Sequence, residues 1–162
     1  MSKATEILEM IDALGIPYTL KTHEAAFQME DFPKLCPDAP GELCKNLFLR
    51  DYKGKRHMLV VLKGDKEADL KLIRDEIASS RLSFGSDERL KKRLNVESGS
   101  VSPFGLLYDA EQAVEVYFDA DLKDAACLGF HPNDNTKTVF LSFADLNRYI
   151  THTGHKVSFI RV

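Results

Sequence analysis

The feature that most constrains this fold is a pair of apolar segments, KNLFLR at residues 45–50 and RHMLVVLK at residues 56–63. The five residues DYKGK connect them and include Gly54. A short connector that contains glycine, between two runs of strand-forming residues, is typical of an antiparallel hairpin. We therefore expect a sheet that includes this hairpin.

Helices are predicted on both sides of the hairpin. Ser2, Ser86 and Ser142 each precede apolar residues at helical spacing, and serine is a favoured N-cap residue. Residues 69–78 have the same periodicity. From Gln28 to Leu35 we expect only one or two helical turns, because prolines break any longer element in this region.

Further short strands are expected at residues 17–21, 104–107, 114–118, 125–129, 137–141 and 156–162. Helices between strands, together with at least two hairpins, indicate an α+β (mixed α/β) fold with a partly antiparallel sheet. The chain has no internal repeat and no linker rich in glycine, serine or proline, so we expect a single domain over residues 1–162.

Length and composition exclude several classes of protein. A chain of 162 residues can bury a core without disulfides. Its three cysteines form no CxxC pair, which argues against a disulfide framework or a structural zinc site and favours a reducing cytoplasm. No apolar run approaches the ~20 residues of a membrane span, and acidic residues interrupt the N-terminal apolar pattern, unlike a secretory signal.

The common catalytic motifs are missing. The sequence has no glycine-rich nucleotide-binding loop and no GxSxG nucleophile motif. Gly154 interrupts the HxxH spacing of His152 and His155, which we interpret as a solvated helix end. Asp119, Asp121 and Asp124 resemble a fragment of a calcium loop but lack its glycine and terminal glutamate, and we interpret them as a solvated turn. Neither a metal nor a cofactor is expected.

Two segments carry groups that suit an anion or a carbonyl. Lys45 and Asn46 place a cation and an amide at the start of an apolar strand, where a merely exposed strand end is the alternative. The loop GSVSP at residues 99–103 offers backbone N–H groups to a ligand, unless it is a plain connector.

Two more segments combine polar and aromatic side chains. In GFHPNDNT, at residues 129–136, His131 precedes a proline and lies either in a hairpin turn or at a cleft. In RLSFG, at residues 81–85, Phe84 follows Arg81 closely and precedes a capped helix.

The net charge of −3 conceals an uneven distribution. Residues 45–66 carry seven Lys or Arg against two Asp or Glu, and residues 81–93 carry five against two. The remaining segments are acidic. Two basic segments that met near one pocket would attract a polyanion in spite of the net negative charge.

Taken together, these four segments resemble the YbaK / prolyl-tRNA synthetase-associated editing domain family. The resemblance rests on CKNLFL, RLSFGSDERL, GSVSPFGL with its GxxxP pattern, and GFHPNDNTKTV, which occur in the family's order. It covers essentially the whole chain and points to the free-standing branch that deacylates alanyl-tRNA(Pro). It also implies a mixed, largely antiparallel, barrel-like sheet surrounded by helices.

The activity that this resemblance implies is trans-editing. A synthetase pocket built for proline cannot fully exclude alanine, because a missing methylene is worth only ~1–3 kcal/mol, and a second site then hydrolyses the wrong ester. The implied catalytic residues are Lys45, which would hold the phosphate or ribose of the terminal adenosine, its neighbour Asn46, and Gly99, whose backbone would lie near the substrate carbonyl. Water attacks, without a protein nucleophile, metal or cofactor.

Other residues of the same motifs are expected to contribute. Substrate binding is expected from His131, Ser100, Ser102, Pro103, Phe84 and Gly129. Contacts with tRNA are expected from the basic residues Arg81, Arg89, Lys91, Lys92 and Arg93. The implied partners are the acceptor end of tRNA(Pro) and, transiently, prolyl-tRNA synthetase, while a monomer and a homodimer both remain open.

Two alternatives stay open at this point. The cysteine-specific branch of the family shares the lysine and the glycine-proline loop, so cysteinyl-tRNA(Pro) is a second candidate substrate. A regulator that binds aminoacyl-tRNA or a free amino acid without hydrolysing it belongs to a different functional class, and turnover would distinguish it.

Overall fold

The structure, a computed structural model, describes residues 2–25 and 29–162. The predicted hairpin is confirmed, because β2 (Glu42–Arg50) pairs antiparallel with β3 (His57–Lys63). The pairing runs from Cys44 opposite Lys63 to Arg50 opposite His57. Nearly all of β3 is buried, since both of its faces are covered.

Within the described residues, six further strands join the hairpin in a mixed eight-stranded sheet. They are β1 (Thr19–Thr22), β4 (Ser83–Phe84), β5 (Val114–Asp119), β6 (Leu128–Phe130), β7 (Lys137–Leu141) and β8 (Val157–Ile160). The order is β1-β7-β6-β2-β3-β5-β8, and β4 pairs with β2. The β2–β6, β3–β5 and β5–β8 pairings are parallel, and the others are antiparallel. The expectation of a mixed sheet in an α/β fold is confirmed.

The predicted helices also form. They are α1 (Lys3–Ala13), α2 (Phe32–Leu35), α3 (Leu70–Glu76), α4 (Asp87–Leu94) and α5 (Phe143–His152). The hydroxyl oxygens of Ser2, Ser86 and Ser142 each accept a hydrogen bond from a backbone N–H in the first turn, so the serine caps read from the sequence are correct.

The sheet separates two apolar cores. Alternate residues of β3 point to opposite faces, so that Leu59 and Val61 pack in the larger core with parts of α1, α4 and α5. Met58 and Val60 pack in the smaller core with residues of α3. This two-sided burial explains the continuous apolar run of the second hairpin segment.

One expectation about local structure is corrected. Residues 104–107, predicted as a strand, lie in the 3-10 helix Pro103–Tyr108. The Ser102 hydroxyl caps that helix by accepting from the N–H of Phe104, and proline suits its first position. Gln28 lies outside the described residues, but Met29–Asp31 and Phe32–Leu35 form the expected helical turns.

Two residues interpreted as solvated are in fact buried. The side chain of His155 is 2% exposed and lies 2.8 Å from the Asp109 carboxylate. The side chain of Asp119 is 1% exposed at the end of β5. Sequence spacing alone does not show that neighbouring elements cover these positions. None of the helices in the described part of the chain has the length and apolar character that a membrane crossing requires.

Candidate active site

Lys45 and Asn46 lie on opposite faces of the sheet. Lys45 pairs with Leu62, which belongs to the smaller core, and Asn46 pairs with Val61, which belongs to the larger core. Directly opposed residues of an antiparallel pair share a face, and neighbours along a strand do not. The two residues that the sequence places together therefore meet different surroundings.

A cavity of about 630 Å³ opens beside Lys45. The residues that line it from the proline-rich segment before β2 are mostly apolar, and most of the other lining residues are charged. The lining residues are Glu30, Phe32, Pro33, Cys36, Pro37, Ala39, Gly41, Glu42, Leu43, Lys45, Gly64 and Asp65. An ammonium group beside an apolar wall suits a ligand that has both an anionic or carbonyl group and a small apolar part.

The wall of this cavity is packed tightly at Gly41. A Cβ atom at this position would lie 2.6 Å from the backbone carbonyl oxygen of Cys127 and 2.8 Å from its Sγ atom. Only glycine fits such a contact without movement of the neighbouring backbone. Gly41 therefore lets the segment before β2 lie directly against residue 127.

The cysteines near the cavity are not activated as nucleophiles. Burial raises the pKa of the thiols of Cys36 and Cys127, and it raises the pKa of Cys44 to about 12. A thiol with a raised pKa stays protonated at neutral pH, whereas the thiolate is the nucleophile. These residues thus contribute packing to the site.

His131 follows β6 and has a defined pattern of hydrogen bonds. Its Nδ1 atom lies 2.8 Å from the carbonyl oxygen of Lys137, and because a carbonyl only accepts, Nδ1–H is the donor. Burial lowers the pKa of His131, although this hydrogen bond opposes the shift. The neutral ring therefore carries an accepting lone pair on Nε2.

The register of the sheet brings His131 to the same edge as Lys45. Strands β2 and β6 are parallel, with Leu43 opposite Gly129, and Lys45 and His131 each lie two residues farther along. The His131 ring centroid is 6.0 Å from that of His23, which is 5.4 Å from that of Phe32 in the cavity wall. His131 is not among the residues that line the Lys45 cavity, and these contacts connect it through His23 with Phe32 in the cavity wall.

The loop at residues 99–103 is attached to His131 by one hydrogen bond. Ser102 Oγ donates to the His131 carbonyl oxygen at 2.6 Å and is fully buried. Ser100 and Pro103 are also buried, whereas Gly99 is exposed at the outer end of the loop. Among these residues, Gly99 therefore has the backbone that is most accessible to solvent.

Gly129 has a packing role in β6. A Cβ atom there would lie 2.6 Å from the ring of Phe140. It lets β6 lie close to β7, and through the register with Leu43 it helps to place His131. Asn46 Nδ2 donates to the Cys44 carbonyl, and its Oδ1 atom is buried with no partner among the described residues.

Phe84 does not share this site. It pairs with Leu49, four residues beyond Lys45 on β2, which corresponds to a separation of ~14 Å along the strand. Its side chain is 59% exposed. A direct contact between Phe84 and a ligand in the Lys45 cavity is therefore not favoured by this arrangement.

The basic residues of 81–93 lie toward the opposite end of β2 from Lys45. Arg89 donates to the carbonyl of Gly54 and to Nε2 of His57, and His57 pairs with Arg50, which is ~17 Å along the strand from Lys45. The two basic segments thus do not meet at the cavity.

The other four basic residues of segment 81–93 have different surroundings from Arg89. Arg93 forms an ion pair with Glu111 at 3.4 Å, Arg81 lines a separate surface groove, and Lys91 and Lys92 are exposed.

Several residues of the site carry no recognisable sequence motif. Phe32 and Cys36 lie in the segment whose prolines obscure any periodicity, and Asp65 lies in a turn. Their positions depend on long-range pairing that a single sequence does not display. Among the described residues, no group of three or more His, Cys, Asp or Glu is arranged to hold a metal ion.

Comparison with known proteins identifies the family of this chain. A family model described as an aminoacyl-tRNA editing domain matches residues 23–149. Prolyl-tRNA editing protein ProX of Acetoanaerobium sticklandii is 42% identical over 155 residues, which cover 96% of this chain and 94% of that protein. A prolyl-tRNA synthetase associated domain-containing protein 1 of Danio rerio is 29% identical over 93% of this chain and 82% of its own length.

A solved structure has the same fold. The crystal structure of a proposed trans-editing enzyme for prolyl-tRNA synthetase superposes with a TM-score of 0.75 at 16% identity, covering 100% of this chain and 98% of that one. At this identity the likeness establishes the fold alone. The family model and the 42% identical relative show in addition that the chain belongs to the aminoacyl-tRNA editing domain family.

Proposed function

We propose that this protein is a trans-editing enzyme that deacylates mischarged tRNA(Pro), with alanyl-tRNA(Pro) as its preferred substrate. Family membership makes the chain an aminoacyl-tRNA deacylase, and the name of the ProX relative supports tRNA(Pro) as the substrate. The observation that carries the site assignment is the Lys45 ammonium at an apolar-walled cavity, on the same sheet edge as His131.

The reaction needs little covalent chemistry from the protein. Water adds its oxygen to the carbonyl carbon of the aminoacyl ester, and the bond from that carbon to the ribose oxygen breaks. The ribose oxygen leaves with a proton, so that the products are the free amino acid and tRNA. An ester is already activated, and orientation of water together with charge stabilisation lowers the barrier further.

Each group of the site suits one part of this reaction. The Lys45 ammonium supplies a positive charge for the phosphate or ribose of the terminal adenosine. Nε2 of His131 can accept a hydrogen bond from the attacking water. The exposed backbone N–H of Gly99 would donate to the carbonyl oxygen, whereas Asn46, on the other face of β2, is given no direct contact with a substrate in the Lys45 cavity.

Contact with the rest of the tRNA is proposed for the basic surface at the other end of β2. The exposed Lys91 and Lys92 on α4, with Arg81 nearby in sequence, suit phosphate groups, and Phe84 offers an exposed ring beside them. The ~17 Å along β2 from Lys45 to Arg50, at the end of the strand toward which this surface lies, fits a ligand as large as an acceptor stem. We also propose that the chain is a single domain and acts in the cytoplasm, where aminoacyl-tRNA is used.

One turnover experiment tests this proposal. Catalytic amounts of the protein are incubated with alanyl-, cysteinyl- and prolyl-tRNA(Pro), and the loss of each ester is followed. Rapid loss of the alanyl ester alone supports the proposal, and preferential loss of the cysteinyl ester supports the other branch of the family. Protection of all three esters would instead indicate a binding protein without hydrolase activity.

A further inference from the structure

The turn after β3 holds the Lys45 side chain. Lys45 Nζ donates a hydrogen bond to the backbone carbonyl oxygen of Lys66. Gly64 and Asp65 of the same turn line the cavity beside the ammonium group. The position of the ammonium therefore depends on the position of this turn.

The side chain of Lys66 anchors the turn to the sheet. Its Nζ atom lies 2.9 Å from Asp119 Oδ1, 2.7 Å from Asp121 Oδ2 and 2.7 Å from the Val162 carbonyl oxygen. A lysine ammonium has three N–H donors, so these three contacts use all of them. Burial alone would lower the pKa of Lys66, but the hydrogen bonds to Asp121 and Asp119 raise it, and the group stays charged.

Asp119 is the fixed end of this anchor. Its side chain is 1% exposed, whereas that of Asp121 is 65% exposed. Its Oδ2 accepts from the Lys63 N–H at 3.1 Å, and its Oδ1 accepts from the Asp121 N–H at 3.0 Å. A buried carboxylate is costly unless it is paired and hydrogen-bonded, and this one satisfies both conditions.

We propose that Lys66 and Asp119 are positioning residues that fix the Lys45 ammonium at the mouth of the cavity. Asp119 holds the Lys66 side chain, which fixes the turn, and the Lys66 carbonyl then fixes Lys45. The charge of Lys66 is compensated by two carboxylates, while Lys45 is held by a neutral carbonyl and forms no ion pair with the described residues. This proposal rests on the proposed role of Lys45 in deacylation.

Substitutions at residue 66 test the anchor without removing the carbonyl. Lys66→Met should lower kcat for alanyl-tRNA(Pro) about tenfold, since the contact of Lys45 with the terminal adenosine serves to orient the ester for attack rather than to tighten binding. KM should stay within about twofold of the parent value for the same reason. Lys66→Arg, which keeps the ion pairs, should restore most of kcat. Asp121→Asn is the control, because it removes only the exposed ion pair of Lys66 and should lower kcat less than Lys66→Met does.

A double-mutant cycle with Lys45→Ala separates positioning from general damage. If Lys66 acts through Lys45, Lys66→Met should cause no further loss in the Lys45→Ala background. Asp119→Asn provides a second route to the same loosened turn. Unchanged kcat in both Lys66→Met and Asp119→Asn would overturn the proposal, as would fully additive losses in the double variant.

A spectroscopic measurement distinguishes failure of this proposal from failure of the proposed function. The NMR signal of the Lys45 ammonium should shift, and its protons should exchange faster, in Lys66→Met than in the parent protein. An unchanged signal would refute the anchor whatever the activity. If the Lys45 signal changes in Lys66→Met but the separate variant Lys45→Ala is fully active, the anchor stands and the catalytic role of Lys45 is refuted.

Discussion

Lys45 and His131 each lie two residues beyond the facing pair Leu43 and Gly129 on the adjacent parallel strands β2 and β6. They are 86 positions apart in the sequence, and only this pairing brings them to one edge of the sheet. The pairing is short, because β2 continues beside β3 while the chain turns away after Phe130. The cavity next to Lys45 is lined by the segment before β2, the start of β2 and the turn after β3.

Removal of the Lys45 ammonium should abolish most of the activity. We expect Lys45→Ala to lower kcat/KM for alanyl-tRNA(Pro) by about 10²–10³, the cost typical of losing one charge-stabilising donor. The fold should remain, since Lys45 is only half-buried. Single-turnover deacylation measures the rate, circular dichroism checks the fold, and an unchanged rate would contradict the assignment. Lys63→Ala, on the neighbouring strand, is a matched control.

The pH dependence of the reaction should report His131. Its neutral form is the one that accepts a hydrogen bond at Nε2, and burial lowers the pKa of the ring. The rate should therefore be constant at neutral pH. It should fall as the pH drops through the pKa of His131, which lies below the pKa of an exposed histidine, about 6.5.

The matched variant for this profile is His131→Gln. It cannot titrate, so its residual rate, after subtraction of spontaneous ester hydrolysis, should show no such acidic limb. An identical limb in the variant would assign the titration to another group.

Lys92 and Arg89 should respond differently to loss of charge. Lys92→Gln should weaken tRNA binding without changing stability, and it should reduce the slope of log K against log salt by about 0.7–0.9 for each lost phosphate contact. Arg89→Gln removes donors to the Gly54 carbonyl and His57, so it should also lower the free energy of unfolding by about 1–3 kcal/mol.

Binding and urea unfolding of both variants provide these measurements. Equal salt slopes for Lys92→Gln and the parent protein would remove Lys92 from the tRNA surface. Unchanged stability of Arg89→Gln would show that its two hydrogen bonds contribute little in solution.

Gly41 should tolerate no side chain. Gly41→Ala places a Cβ atom 2.6 Å from the Cys127 carbonyl oxygen, so we expect a loss of about 1–3 kcal/mol in unfolding free energy. Because the nearest atom is backbone, Cys127→Ala should not rescue the variant. Denaturant unfolding measures both effects, and rescue by Cys127→Ala would show that the Sγ contact dominates.

Several parts of the fold are predictable from local sequence. The 45–63 hairpin, the serine caps at residues 2, 86 and 142, and the strand at 137–141 all occur as expected. These features depend on residues close together in the chain, so their cause is visible in one sequence. The segment 104–107 fails as a strand because a capping serine and a proline before it favour a 3-10 helix.

The site is predictable only in part. Lys45, His131 and Ser102 come to one edge of the sheet, but Asn46 faces the other side of β2, and Phe84 and Arg89 lie toward its far end. The anchor formed by Lys66 and Asp119 has no sequence signature, because it joins a turn to the end of a strand 53 positions farther along the chain.

The sequence by itself determined the hairpin, the helix caps, the mixed fold class and, through its motifs, the resemblance to an editing family. Only the tertiary structure decided which of the motif residues share a cavity, which face of β2 each one meets, and how Lys45 is held. The physical reason is that strand order and register depend on long-range pairing and two-sided burial. Neither is encoded in the spacing of neighbouring residues.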